Sequence, residues 1–350
     1  MTFVSFPGYD LISLDSRSWE CVFPMELPED LKTALDEELT NVSRKDLSKT
    51  AADLSARYRS KGPASGDSLI RSPEDALAYV AFRMPATFGA IYGALTQVRE
   101  VLPQWEPSSL LDVGAGPGTV MWAVREVFPT VQTITLLERA PAMIALGQGL
   151  AERATSTSLR TARWLQQDIT QDWHLPPQDL VVASYVLGET NPKDRDLLLA
   201  RLWQHTKGVL VIIEPGTPEG FGQIRAARDW LRDNGGHIVA PCPHRETCPL
   251  ADDDWCHFSQ RIPRSRLHRQ IKASELSYED EKFSFAAFSR QRATPFPGRV
   301  LRHPLIGKGH VQLTLCRPAG ITKETVSRKN KDLYRAARKA KWGDIFPPGN

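Results

Sequence analysis

Four cysteines in the second half of this 350-residue chain stand where thiolate chemistry is possible. Cys242, Cys248 and Cys256 lie within fifteen residues, spaced C-x5-C-x7-C, and Cys316 follows sixty residues later in the run HVQLTLC. Thiolates are soft anionic ligands, so four of them complete a tetrahedral zinc site or hold an iron-sulfur cluster. A distant fourth ligand would staple a Cys-, His- and Pro-rich lobe onto the rest, and a lobe supplying so little core gains stability from metal. No short C-x2-C run chooses between zinc and iron-sulfur. A set with His244 or His257 in place of Cys316, or unrelated buried thiols, also fits these spacings. Cys21 stands apart and reads as a small buried hydrophobe.

A second constellation begins at Asp112, where Leu110-Leu111-Asp112-Val113-Gly114-Ala115-Gly116-Pro117-Gly118-Thr119 reads as a strand, a glycine-rich turn and a helix start. Glycines permit a sharp turn and close approach of a ligand to the backbone at the carboxyl ends of parallel strands. Glu138 ends the next strand about twenty residues on, where a carboxylate accepts hydrogen bonds from ribose hydroxyls. Asp168 ends the third, placed to meet an adenine amino group. A dinucleotide fingerprint needs G-x-G-x-x-G, and Thr119 occupies the third glycine's place. The G-x-G-x-G form seen here resembles the class I S-adenosylmethionine-dependent methyltransferases over roughly Ser108 to Glu214. The resemblance implies that Gly114, Gly116 and Gly118 line the methionine part of the ligand, Glu138 the ribose and Asp168 the adenine.

The elements that must position these residues follow from periodicity. Two amphipathic helices are predicted from Leu27 onward. A long helix is predicted from Ser72, with Pro73 at its first position, towards Val101 and kinked at Pro85. From Ser108, SLLDVG, TITLLE, ARWLQQD, DLVVASY and GVLVIIEP alternate with helical stretches, which makes the fold class α/β with a Rossmann-like parallel sheet. The predicted organisation is a loose extension over 1–27, a helical region over 28–106, the Rossmann-like domain over 107–240 and a Cys-rich inserted lobe over 241–294. Strands completing the sheet over 295–320 and a basic tail over 321–350 end it.

A composition with 41% hydrophobic residues can bury a sizeable core. No run of about 18 apolar residues would cross a bilayer, so no membrane partner is expected. Asp10, Asp15 and Glu20 argue against a secretory signal or an acid-poor transit peptide, which leaves the cytoplasm as the expected location. The net charge of +3 says little about partners, but five basic residues against no acid over His257–Lys272, and eight against two over Ile321–Lys341, make two local basic patches.

LDVGAGPGT, the EPGTPEGF segment, PCPHRETCPL with Trp255-Cys256-His257-Phe258, and KASELSYEDEKFSF together resemble one family from about Pro28 to Pro318. It is that of the mitochondrial small-ribosomal-subunit methyltransferase-like assembly proteins and their bacterial relatives. The resemblance implies a methyltransferase fold binding S-adenosylmethionine, a 4Fe-4S cluster on Cys242, Cys248, Cys256 and Cys316, and small-subunit rRNA and proteins as partners. Methyl transfer is a separate matter. The place after strand four reads Ser184-Tyr185-Val186-Leu187, without the Asp/Asn-Pro-Pro-aromatic run of amino-directed enzymes, and no cysteine nucleophile follows strand four or five. Tyr185 is expected at the cofactor pocket, where it could stack on a base, and Glu189 or Glu214 could serve as a base or simply shape that pocket. The expected function is therefore a small-subunit maturation factor. An active rRNA methyltransferase and a small-molecule methyltransferase with structural zinc are the alternatives.

Overall fold

The computed structural model describes residues 25–60, 69–264 and 276–347. Most of the N-terminal extension, Cys21, Arg266 and Arg269 lie outside them. The two predicted amphipathic helices are α1 (Glu29–Leu39) and α2 (Arg44–Ser60). The single helix expected from Ser72 is two, α3 (Pro73–Phe82) and α4 (Met84–Val101). Ser72 caps α3 by accepting from the Asp75 amide at 3.3 Å. Pro85, which has no N–H to donate, falls in the first turn of α4, so the ladder breaks at Arg83 instead of bending.

All five predicted parallel strands form: β1 (Ser109–Val113), β2 (Thr133–Glu138), β3 (Arg163–Gln166), β4 (Gln178–Ser184) and β5 (Thr206–Pro215). Between and after them run α5 (Thr119–Val127), α6 (Pro141–Glu152), the short α7 (Thr157–Arg160), α8 (Arg195–Gln204) and α9 (Pro218–Asp233). The chain then adds β6 (His237–Ala240), β7 (Phe258–Pro263) and β8 (Tyr278–Ser289). The sheet order is β3-β2-β1-β4-β5-β8-β6, with β7 also on β8. β8 runs antiparallel to β5 from Ser289 opposite Val209 to Phe283 opposite Pro215. Its other edge is shared, by β6 near Ser289 and by β7 from Phe283 to Tyr278. Phe283, Phe285 and Ala287 pack on the α4 side, while Ala286 and Phe288 enter the opposite core. Buried on both faces, EKFSFAAF returns to the sheet as expected, and the inserted lobe therefore ends near Tyr278 and not at 294.

HVQLTLC does not complete that sheet. β9 (Arg299–Val300), β10 (Leu305–Gly307), β11 (His310–Arg317) and β12 (Gly320–Ser327) form a second, antiparallel sheet backed by α10 (Lys331–Lys339). The reason is local. A tight turn at Arg317–Gly320 offers β11 a partner at once, and Val311, Leu313 and Leu315 find their own small core with Val300, Val326, Ala337 and Phe346. The stretch expected as a basic tail thus contains a strand and a helix, whose Asn330 side chain accepts from the Leu333 amide at 3.2 Å.

The first basic patch is also changed. Arg261 forms a two-pronged pair with Asp280 at 2.8 and 2.9 Å, and Arg264 donates to Glu279 at 2.9 and 3.2 Å. Their acids lie fifteen and nineteen residues away, across the β7–β8 pair. Among the described residues no helix is long and apolar enough to cross a membrane. Phe88 of α4, 1% exposed, anchors the helical layer to the sheet. Phe88→Ala is expected to cost about 3–5 kcal/mol in denaturant unfolding.

Candidate functional site

After Val113 the backbone passes through Gly114, Gly116 and Gly118 at φ of +75°, +55° and +80° before entering α5. The Gly114 and Ala115 amides both donate to the Leu137 carbonyl at 2.9 Å, tying the turn to β2. A Cβ on Gly114 would meet Val186 at 2.6 Å, whereas one on Gly116 would meet nothing within 4 Å. Gly116 therefore presents bare backbone to open space. Glu138 holds the turn with both oxygens, accepting from the Gly116 amide and from the Ala140 amide, each at 2.8 Å. Beside them lies a cavity of about 360 Å³ lined by Gly114, Gly116, Glu138, Asp168 and Tyr185, with Tyr58 and Tyr79 contributed by the N-terminal helices. Asp168, two residues beyond β3, accepts from the Thr170 amide and hydroxyl at 2.9 and 2.7 Å.

Asp112 and Gly118 stand behind this wall. A Cβ on Gly118 would meet Trp164 at 2.9 Å and Met121 at 3.0 Å, so that glycine lets the turn pack. Asp112 is fully buried, and neither carboxylate oxygen has a hydrogen-bond partner among the described residues. Burial, and then the charge of Glu138, pushes its carboxyl well above the usual range.

Tyr185 takes φ +59°, a strained value for a bulky residue. Its hydroxyl donates to Glu281 at 3.1 Å, and Arg83 lies 5.1 Å from the ring centroid while pairing with Glu281 at 2.8 and 3.2 Å. One ring face and the hydroxyl are thereby committed. Glu214, 1% exposed, supports the same loop by accepting from the Leu187 amide at 2.7 Å. Of the two candidate bases, Glu189 lines the cavity and Glu214 does not. Burial pushes the Glu214 carboxyl up to about 8.

The four thiols meet. Cys242, Cys248, Cys256 and Cys316 line one cavity of about 40 Å³, walled by α9, β6, β8 and the second sheet. Cys316 lies opposite Arg299 in the β9–β11 pairing. His244 joins the thiols, its Nε2 3.5 Å from the Cys316 sulfur, whereas His257 stacks between Trp255 and Trp342 instead. Burial and then the neighbouring sulfurs push the Cys256 and Cys316 thiols up, Cys316 to about 12. Among the described residues no three His, Cys, Asp or Glu side chains are close enough, as placed, to hold a metal ion. The donor set nevertheless suits a thiophilic group, because four thiols around one cavity, Cys316 buried and the other three half-buried, give up their protons to a cation that replaces them.

Five parallel strands followed by an antiparallel strand inserted between β5 and β6, with a glycine turn after β1, define a Rossmann-like class I methyltransferase fold. The profile of the family described as mitochondrial small ribosomal subunit Rsm22 matches residues 73–347, and the chain belongs to that family. It is 28% identical to the human mitochondrial ribosome assembly protein METTL17, covering 96% of this chain and 77% of that protein. With the mitochondrial ribosome assembly protein RSM22 of Saccharomyces cerevisiae it shares 22% identity over 77% of this chain and 66% of that protein. It spans 43% of the mitochondrial Rsm22-cox11 tandem protein 2 of Schizosaccharomyces pombe, at 27% identity over 77% of this chain. Among solved structures, magnesium protoporphyrin IX methyltransferase from Synechocystis with bound SAM aligns at 11% identity and TM-score 0.40 over 76% of this chain and all of that one. These curated relatives are all mitochondrial proteins, which overturns the cytoplasmic location expected from the acidic N-terminus.

Sequence reasoning missed Arg83, Glu281, Arg228 and Arg299; the one available signal was at Arg83, a lone charge in the apolar stretch AYVAFRMPATF. Two outcomes follow from the site. Gly114→Ala, which forces a Cβ onto Val186 at positive φ, is expected to abolish the stabilisation of the protein by S-adenosylhomocysteine in a thermal-shift titration. For Glu214, a folded-state value near 8 against an ordinary 4.5 means that the folded chain holds the extra proton between those limits. Stability therefore falls as pH rises from about 4.5 through 8. Glu214→Gln is expected to flatten that slope, measured as the change in denaturation midpoint between pH 5 and pH 8.

Proposed function

We propose that this chain is a small-ribosomal-subunit assembly factor in which bound S-adenosylmethionine and a 4Fe-4S cluster hold a conformation that docks on rRNA. The assembly role is supported by the family and by the human and yeast relatives, both ribosome assembly proteins. The observation that carries a binding role over methyl transfer is the cluster of Arg83, Tyr185 and Glu281. It fills the position after β4 where a target base would stack and commits the tyrosine hydroxyl to a carboxylate.

For the adenosyl ligand, Gly114 and Gly116 offer close backbone approach, and Glu138 keeps lone pairs for ribose hydroxyls beyond its two backbone bonds. Asp168 is placed for the adenine. Asp112, an unsatisfied buried acceptor, would be relieved by an ordered water or the ammonium of the methionine part. For the metal group, Cys242, Cys248, Cys256 and Cys316 are the proposed ligands. The four-thiol donor set suits zinc or an iron-sulfur cluster, and the family resemblance favours the cluster.

Within the basic Ile321–Lys341 segment, Arg328, Lys329 and Lys331 lie at the junction of β12 and α10. Contacts of such residues with phosphates release counterions, so neutralising all three is expected to weaken small-subunit binding and to lower the slope of log affinity against log salt by up to about 3. Anaerobically purified protein is expected to be brown, with about four irons per chain, and Cys316→Ser to lose most of that iron. Colourless protein carrying zinc, and absent from the small-subunit fractions of a gradient, would instead point to a small-molecule methyltransferase. A second reading, active rRNA methylation, is favoured by Glu189 on the cavity wall. It requires a methyl group on small-subunit rRNA that disappears with the gene and returns with the wild type but not with Gly114→Arg.

A further inference from the structure

Two buried arginines grip the loop that carries Cys242. Arg228 of α9, 3% exposed, donates through Nη2 to the carbonyls of His244 and Glu246. Arg299 of β9, fully buried, donates through Nε to the Pro241 carbonyl at 3.3 Å and through Nη1 to Glu100 and the Gly343 carbonyl, each at 2.8 Å. Each guanidinium is left with one buried nitrogen that has no hydrogen-bond partner among the described residues, Nε of Arg228 and Nη2 of Arg299.

Of these two, Arg228 lines the four-thiol cavity; Arg225 also lines it and pairs with Asp252 at 3.3 Å. The one carboxylate of Arg228, Asp229 at 2.9 Å, also pairs with Arg232 at 2.8 Å, and Arg232 has a second acid in Asp233 at 2.9 Å. A buried guanidinium is costly unless it is paired. The buried Nε of Arg228 has no partner among the described residues, and a thiolate of the cavity, unlike a neutral thiol, would offer it both an acceptor and a negative charge. Four thiolates around a dipositive 4Fe-4S core carry a net charge of −2, and one added electron makes it −3.

We infer that Arg228 is the counter-ion of the thiolate-ligated group in this cavity, a positioning residue that favours its retention and raises its reduction potential. This rests on the cluster proposed above. A guanidinium that served only to hold the two carbonyls would affect how much cluster forms. It would not change the potential of the cluster that does form.

The test uses the full chain, anaerobically reconstituted with iron and sulfide, as wild type, Arg228→Met and Arg228→Lys, with circular dichroism and thermal melting to confirm the fold. Midpoint potentials are read by redox titration of the visible absorption, and iron loss by transfer to a chelator. Arg228→Met is expected to shift the midpoint negative and to release iron several-fold faster, with Arg228→Lys, which keeps the charge but not the forked geometry, close to wild type in potential. Equal potentials for wild type and Arg228→Met would overturn the counter-ion role while leaving the cluster standing. If Arg228→Met retains no iron, Arg228→Lys decides: retention upholds the role of charge, and loss assigns the residue to carbonyl anchoring alone. A wild type that takes up no iron overturns the cluster and this inference together.

Discussion

The pairing of β8 is the constraint on which both cavities depend. That strand has neighbours on both edges and apolar residues on both faces, so its register against β5 is fixed from Ser289 to Phe283. A slip of one residue would turn Phe283, Phe285 and Ala287 away from the α4 core and put Ser284, Ala286 and Phe288 in their place. The same register sets Ser284 opposite Glu214. From that pair the strand reaches in two directions: the Ser284 hydroxyl donates to the Cys256 carbonyl at 2.8 Å, and Glu281 bonds Tyr185 and Arg83. The glycine-turn cavity and the thiol cavity are thus braced by one rigid element.

Four buried ionisable residues lie near these two places. Asp112 and Glu214 are held in uncharged-favouring surroundings near the first cavity, and Arg228 and Arg299 lie around the second. Buried groups whose charge or hydrogen bonding is left incomplete destabilise a chain that has nothing to offset them, and they concentrate where something binds. The second sheet has little apolar area of its own, with Val311, Leu313 and Leu315 as its central row. Its attachment relies on polar links instead, through Arg299 to Pro241 and Glu100 and through Arg302 to Asp254.

Much of this was legible in the residues. The five parallel strands are apolar runs ended by turn residues, and the order of Asp112, three glycines, Glu138 and Asp168 is local enough to read directly. That Cys316 belongs with the trio was accessible from thiol chemistry. Which sheet would carry it was not, because HVQLTLC alternates like any half-buried strand and its partner choice is settled by the turn at Arg317–Gly320. The Arg83–Glu281 pair spans 198 positions, and no periodicity connects residues so far apart. The basic loop misled for a related reason. Charge counted along the chain missed Asp280 and Glu279, which approach Arg261 and Arg264 only after β7 and β8 pair.

Glu138 spans Gly116 and Ala140, tying the glycine turn to the start of α6 through hydrogen bonds of the chain's own. The recognition loop therefore needs no folding when its guest arrives, and little ordering entropy is charged against affinity. Such a pocket would respond to how much ligand its surroundings contain far more than to any slow rearrangement of its own.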